Sequence, residues 1–309
     1  MQRSDPKPAP QVCVAVFAYN EQRLIGSALD RLAAMRDEAE FEVQVLINGC
    51  TDRTEEIVRG RAETCHWLRP VVIALGDKAN AWNVYVHQTA PAEATVHVFT
   101  DGDVRVRRGA IAAIVRRLAE VPRAHACAGV PGSGRSAEDL RRRIAEWGEM
   151  YGNLYALRGC FVSELRRRQV RLPIGLFGED GIIAMLVKCD LDPRQPLDRS
   201  RITWAAEAIY EFDPLSPWQL RDWRIYRNRK RRYAVRLRQS EMLWSLLQDQ
   251  GLGAMPQHVV DLYLLKGAKL APRGRGLDRV FDWEARRWIR NAIAAAEAAK
   301  QREAAHLFS

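Results

Sequence analysis

Apolar runs and amphipathic stretches alternate four times between residues 12 and 120. Val12-Cys13-Val14-Ala15-Val16-Phe17 is the first run. A polar loop, Ala18-Tyr19-Asn20-Glu21, leads from it to Leu24, Ile25, Ala28, Leu29 and Leu32 at helical spacing. The pattern returns as 41–47 then 53–63, 71–74 then 78–88, and 96–100 then 109–120. Short runs rich in β-branched and aromatic residues read as buried strands. Strand and helix in strict alternation imply parallel strands joined by right-handed crossovers, with helices on both faces. The expected fold class is therefore α/β, a mostly parallel sheet covered on both sides. Residues 126–130 are a candidate fifth strand, and a flexible loop at 131–136 leads into a helix from Ala137. Residues 151–160 continue that region toward the site, and 202–212 read as two short strands. From Pro214 the pattern is helical and more charged, with helices at 243–247, 259–265 and 283–299. Pro272-Arg273-Gly274-Arg275-Gly276 separates the last two. The expected division is a loose tail at 1–10, an α/β domain at 11–215 and a helical region at 216–309.

In an open parallel sheet, ligands sit beyond the carboxyl ends of the strands. Three of the runs end there in polar residues. The run at 96–100 ends in Asp101-Gly102-Asp103, two carboxylates one residue apart that can face one hard cation. The second run ends in Asn48-Gly49-Cys50-Thr51-Asp52, a turn in which Thr51 or Asp52 can cap the next helix. Farther on, Gly178-Glu179-Asp180-Gly181 precedes a helix at 182–188. Acids at a helix start complement its dipole whatever else they do.

Composition narrows the partners. The 309 residues are 47% apolar and 28% charged, and no apolar run approaches the ~18 residues of a membrane-spanning helix. The polar, Pro-rich start is unlike a signal peptide. Six scattered cysteines without Cys-x-x-Cys spacing read as reduced, mostly buried thiols of a cytoplasmic protein. A net charge of +10 suits nucleic acid, an anionic membrane surface or a phosphate-rich small molecule. Much of it falls in one segment holding Arg221, Arg224, Arg227, Arg229, Lys230, Arg231, Arg232, Arg236 and Arg238. Trp218, Trp223, Ile225, Tyr226 and Tyr233 interleave with it, as in interfacial helices. No nucleic-acid motif accompanies the segment, so no nucleic-acid partner is expected.

Five motifs in one order give the chain a family likeness. Val14-Ala15-Val16-Phe17-Ala18-Tyr19-Asn20-Glu21, Asn48-Gly49-Cys50-Thr51-Asp52-Arg53-Thr54, Lys78-Ala79-Asn80-Ala81-Trp82-Asn83, Thr100-Asp101-Gly102-Asp103 and Gly178-Glu179-Asp180 together resemble the family 2 glycosyltransferases of GT-A fold. The likeness covers about residues 11–215. It departs at Phe17, where the family has proline, and at Asn48, where it often has aspartate. The resemblance implies a nucleotide-sugar donor, UDP- or GDP-linked, a hydroxyl acceptor, Mg2+ or Mn2+ as cofactor, and inversion at the anomeric carbon. It implies Asp103 as metal ligand and Asp101 as a ribose or metal ligand. Asp180 is implied as general base, with Glu179 holding the acceptor or orienting the base. Tyr19, Asn20, Glu21 and Asn48 would line the nucleotide, and Lys78 would reach its base or phosphates. Arg229 or Arg232 would close over the diphosphate. The glutamine of the processive synthases' Q-x-x-R-W is missing around Arg232-Tyr233, so transfer of a single sugar is expected. A lipid-linked acceptor and a peripheral place at the inner face of a membrane would suit the aromatic-basic segment. The alternatives are a nucleotidyltransferase or retaining transferase on the same fold, or a nucleic-acid-binding protein.

Overall fold

The computed structural model describes residues 11–134, 136–212, 220–267 and 270–307, with the backbone alone at 220–225, 300 and 302–307. The expected tail at 1–10 and the expected boundary at 215/216 lie outside the described residues.

Four strand–helix pairs come first, as the alternation requires. β1 (Val12–Ala18) leads to α1 (Ile25–Met35), β2 (Glu42–Asn48) to α2 (Thr54–Ala62), and β3 (Leu68–Ile73) to α3 (Lys78–Val84). α3 ends in one wider turn, Tyr85–Thr89. β4 (Val96–Asp101) and the two-residue β5 (Arg105–Val106) precede α4 (Ala110–Glu120). β6 (Ala126–Pro131), α5 (Ala137–Trp147), β7 (Leu154–Arg158), α6 (Gly159–Arg167), α7 (Glu179–Lys188) and β8 (Ile202–Glu211) follow. The helices α8 (Leu220–Gln250), α9 (Val259–Lys266) and α10 (Leu277–Leu307) close the chain.

One sheet holds the eight strands in the order β3-β2-β1-β4-β7-β6-β8-β5. β3, β2, β1 and β4 run parallel, and β6 and β8 are parallel to each other. β7 runs antiparallel between β4 and β6. The sheet is mixed and mostly parallel. Residues 151–160, read only as leading toward the site, therefore contain a reversed strand. Residues 202–212 form one strand instead of two. Its pairing with β6 shifts between Ala128 and Val130, where Trp204 and Ile209 are the successive partners. That irregularity interrupts the strand's alternation and makes one strand look like two.

Register sets the strand ends side by side. Ala18 pairs with Ile47, and Phe17 with Asp101. Leu154, at the start of β7, pairs with Thr100. A reversed strand thus delivers its beginning to the edge where the parallel strands end. Alternate residues feed two cores. Val14, Val16 and Val98 face Leu29, Leu32 and Ile114. Cys13, Ala15, Phe17, Phe99 and Tyr155 face Trp82, Phe161 and Ile183. The C-terminal helices join this second core through Leu243, Leu247, Leu262 and Ile289.

Gly49 turns the chain off β2 at φ +62°, and a Cβ there would lie 2.4 Å from Gly76 Cα. Gly49→Ala should lower unfolding stability by about 1–3 kcal/mol from the left-handed backbone alone, read by urea titration. A loss under about 0.5 kcal/mol, the scale of a neutral surface change, would mean the turn adapts.

Candidate functional site

The ends of β1, β2 and β4 form one rim. Beyond β1, Asn20 adopts the left-handed conformation (φ 56°). Its Oδ1 accepts the Thr51 N–H at 2.8 Å, joining the first two loops. The Glu21 N–H donates to Thr54 Oγ1 at 2.8 Å. Asp52 accepts from Thr54 N–H at 3.0 Å and from Gln22 N–H at 3.1 Å. It therefore caps the turn into α2 and ties it to the first loop. Tyr19 is 56% exposed, its ring edge against Gly76. Asn48 is buried, and its Oδ1 accepts the Asp77 N–H at 3.0 Å. The oxygen expected to face a nucleobase thus holds the turn before α3. Asp77 caps that helix through Asn80 N–H at 2.7 Å and accepts from Gly175 N–H at 2.8 Å.

Lys78, the first residue of α3, crosses the rim. Its Nζ lies 2.6 Å from Asp101 Oδ1 and 2.8 Å from Glu179 Oε1, and 5.5 Å from the centre of the Phe17 ring. Below it, Phe17, Phe99 and Tyr155 stack at 6.3 and 4.8 Å. Lys78 therefore reaches carboxylates, at the junction of the strand-end acids and the helix-start acids.

Asp180, 5% exposed, is held through both oxygens. Oδ2 accepts the Gly152 N–H at 2.9 Å, and Oδ1 accepts its neighbour Gly181 N–H at 2.8 Å. Arg236 of α8 places Nη2 2.9 Å from Oδ1. A Cβ on Gly152 would stand 2.8 Å from Lys78 Nζ, and one on Gly178 2.1 Å from Arg236 Nε. Both glycines are needed for the charged groups to close on each other. Gln239, one turn past Arg236, accepts Phe177 N–H at 2.7 Å and donates to Gly175 O at 3.0 Å, fixing α8 to the loop before α7.

These neighbours set the charges. Burial alone would strip the Lys78 proton, but Asp101 and Glu179 outweigh it and hold the ammonium well above its usual range. Burial likewise works against Glu179, and Lys78 reverses it, leaving that carboxyl below its ordinary value. Burial, with Glu179 beside it, raises Asp180 despite Arg236. Desolvation carries Asp101 to about 6, with Lys78 opposing and Asp103 and Glu179 adding. Glu21 rises to about 7 through burial and the charges of Asp103, Asp101 and Asp52.

The structure thus brings together Asp101, Lys78, Glu179 and Asp180, with Asp103 and Glu21 beside them. Arg229 and Arg232 stand apart, exposed on α8. Arg236, Gly152 and Gln239 complete the site without having been singled out. Arg236 shares a helix face with Arg232, a signal readable at i, i+4 spacing. Of the aromatics expected to interleave with this segment, Tyr226 and Tyr233 are exposed. Trp218 and the side chains of Trp223, Ile225, Arg221 and Arg224 lie outside the described residues. The six cysteines are free. Cys13, Cys127 and Cys189 are buried, and Cys160 is exposed.

Asp101 and Asp103 suit a hard divalent cation, which takes one or two carboxylates and completes its shell with substrate phosphates and water. Among the described residues no group of three or more His, Cys, Asp or Glu side chains could hold a metal alone.

Strand-end carboxylates opposed by an acid pair at a helix start, on this sheet, belong to the GT-A fold of glycosyltransferases. The family model for glycosyl transferase family 2 matches residues 13–181, and the chain belongs to that family. Among solved structures it is similar to a mannosyltransferase from Pyrobaculum calidifontis in complex with GDP-Man and Mn2+, at 23% identity and TM-score 0.56, over 97% of this chain and 78% of that one. It is similar also to S. aureus TarS at 16% identity and TM-score 0.50, over 91% of this chain and 55% of that one. Glucosyl-3-phosphoglycerate synthase from Mycobacterium tuberculosis matches at 18% identity and TM-score 0.48, over 72% of this chain and 79% of that one. No curated protein matches the sequence.

Lys78→Met would leave Asp101 and Glu179 facing each other without their cation. Lys78 and Asp101 are partly exposed and only Glu179 is buried, so the expected cost is about 1–3 kcal/mol, below that of a fully buried pair, measured by urea unfolding at neutral pH. A loss under about 1 kcal/mol, as for a surface pair, would show the ammonium to be dispensable.

Proposed function

We propose that the chain is a metal-dependent, inverting glycosyltransferase moving one sugar from a UDP- or GDP-linked donor to a hydroxyl acceptor. The observation that carries this reading is the link from Asp101 through Lys78 to Glu179, at 2.6 and 2.8 Å. It gathers the strand-end acid Asp101 and the helix-start acid Glu179, the neighbour of Asp180, around one ammonium. The nucleotide lies over the ends of β1 and β2, where the exposed Tyr19 ring offers a stacking face. Asn20, Glu21 and Asn48 shape that floor. Mg2+ or Mn2+, when bound, neutralises the diphosphate leaving group as a Lewis acid. Asp103 would ligate it directly, and Asp101 would assist or bind ribose.

Asp180 takes the acceptor proton. Its raised affinity for protons brings it closer to neutrality, the useful direction for a base. Gly152 N–H and Arg236 fix its orientation, and Glu179, held by Lys78, positions the acceptor. A base opposite the leaving group gives inversion, hence a β-linkage from an α-linked donor. No helix among the described residues is long and apolar enough to cross a membrane.

Two substitutions separate the roles. Asp103→Ala should abolish the Mn2+-dependent part of UDP or GDP binding in calorimetric titration, with an unchanged melting curve. Persistent metal-dependent affinity would remove Asp103 from the site. Asp180→Asn should keep donor and metal affinity and lower kcat by ~100-fold or more, the scale of a general base. Wild-type turnover with a lowered melting temperature would make Asp180 a structural acid of α7.

A further inference from the structure

The basic segment of α8 divides by helix face. At 100° per residue, Arg227, Lys230 and Arg238 share one side. Each pairs with an acid of α10: Arg227 with Glu284 at 2.8 Å, Lys230 with Asp278 at 3.5 Å, and Arg238 with Asp282 at 2.6 Å. Arg229, Arg232 and Arg236 fall within about 60° of one another on a different side, the side from which Gln239 grips the loop before α7. Arg236 pairs with Asp180. Arg229 and Arg232 are exposed, with no acidic partner among the described residues.

We infer that Arg229, Arg232 and Arg236 form an anion-binding acceptor subsite, so that the hydroxyl handled by Asp180 belongs to a molecule carrying a phosphoryl group. The inference rests on Asp180 being the base. Arg236 spends Nη2, which lies over Gly181, on Asp180, and its Nε lies over Gly178, in a side chain 29% exposed. A guanidinium offers five donors in a planar fork that matches phosphate. Arg232 and Arg229 continue the row about 6 and 10 Å along the helix axis. An anion bridging them would set its hydroxyl-bearing end at Asp180. The opposite acid, Asp101, already has its own cation in Lys78. The row therefore begins on the acceptor side of the cleft, so its charge is better matched to the acceptor than to the donor diphosphate.

Calorimetry on the full chain tests this with glycerol phosphate, with glycerol as the neutral control, and separately with UDP or GDP plus Mn2+. Glycerol phosphate should bind the wild type, and glycerol at least ~10-fold more weakly, as expected for one charge-assisted contact. Combining Arg229→Gln with Arg232→Gln should weaken glycerol phosphate binding ~10-fold. Nucleotide–Mn2+ affinity should change less than about twofold, within ordinary surface effects. Vesicles of phosphatidylglycerol against phosphatidylcholine repeat the comparison with the phosphoryl group on a lipid. A larger loss there assigns a lipid-borne acceptor, and a larger loss with glycerol phosphate assigns a free one. Unchanged affinity for both probes overturns the inference. So does weakened nucleotide–Mn2+ binding with glycerol phosphate unaffected, which would return the arginines to the donor. Failure of the base reading is separate: full turnover in Asp180→Asn, with the anion binding intact, would leave the anion site standing and remove only its catalytic meaning.

Discussion

One ammonium group, Lys78 Nζ, holds the site together. It joins Asp101 at the end of β4 to Glu179 at the start of α7. Without it, those carboxylates and Asp180 would repel one another, with Glu179 and Asp180 buried and Asp101 only partly exposed. The aromatic stack below supplies a floor, and Gly152 leaves the room that the ammonium needs. The fold serves this contact directly. Parallel β1, β2 and β4 end at one rim, and the reversed β7 begins there. The crossover after β3 starts α3 at the same rim, with Lys78 as its first residue.

The C-terminal helices belong to the same construction. Leu243, Leu247, Leu262 and Ile289 share a core with Phe99, Tyr155 and Ile183, so α8 is fixed against the sheet's site-bearing half. Gln239 ties it to Gly175 and Phe177, and Arg236 reaches Asp180. The orientation of the acid pair therefore depends on residues more than 50 positions later. A change that loosens α8 would shift Asp180 without touching the rim at the ends of β1 and β2.

Much of this could be read from residue order. The parallel strands were legible because buried apolar runs ended in polar turns, and their ends marked Asp101, Asp103 and the Tyr19–Glu21 loop. The reversal of β7 was not, because Leu154–Arg158 is apolar enough to pair in either direction and only its neighbours decide. Lys78 was expected at a base or phosphate. A four-carbon side chain at a helix start can reach several partners, and only the assembled fold selects Asp101 and Glu179. Arg236 was hidden as one of nine basic residues in the segment. Helix phase separates them only once one face is pinned, as Gln239 does here. Asn48 was readable as a strand-end polar residue, but its bond to the Asp77 N–H depends on the next crossover.

The central claim, inverting transfer across a cleft bounded by Asp101 and Asp180, is tested most directly by stereochemistry. Proton NMR would follow sugar released to water from an α-linked UDP- or GDP-sugar with Mn2+, read before mutarotation. The account predicts the β anomer first, and its loss in Asp180→Asn. First appearance of the α anomer would mean retention and would contradict the role given to Asp180.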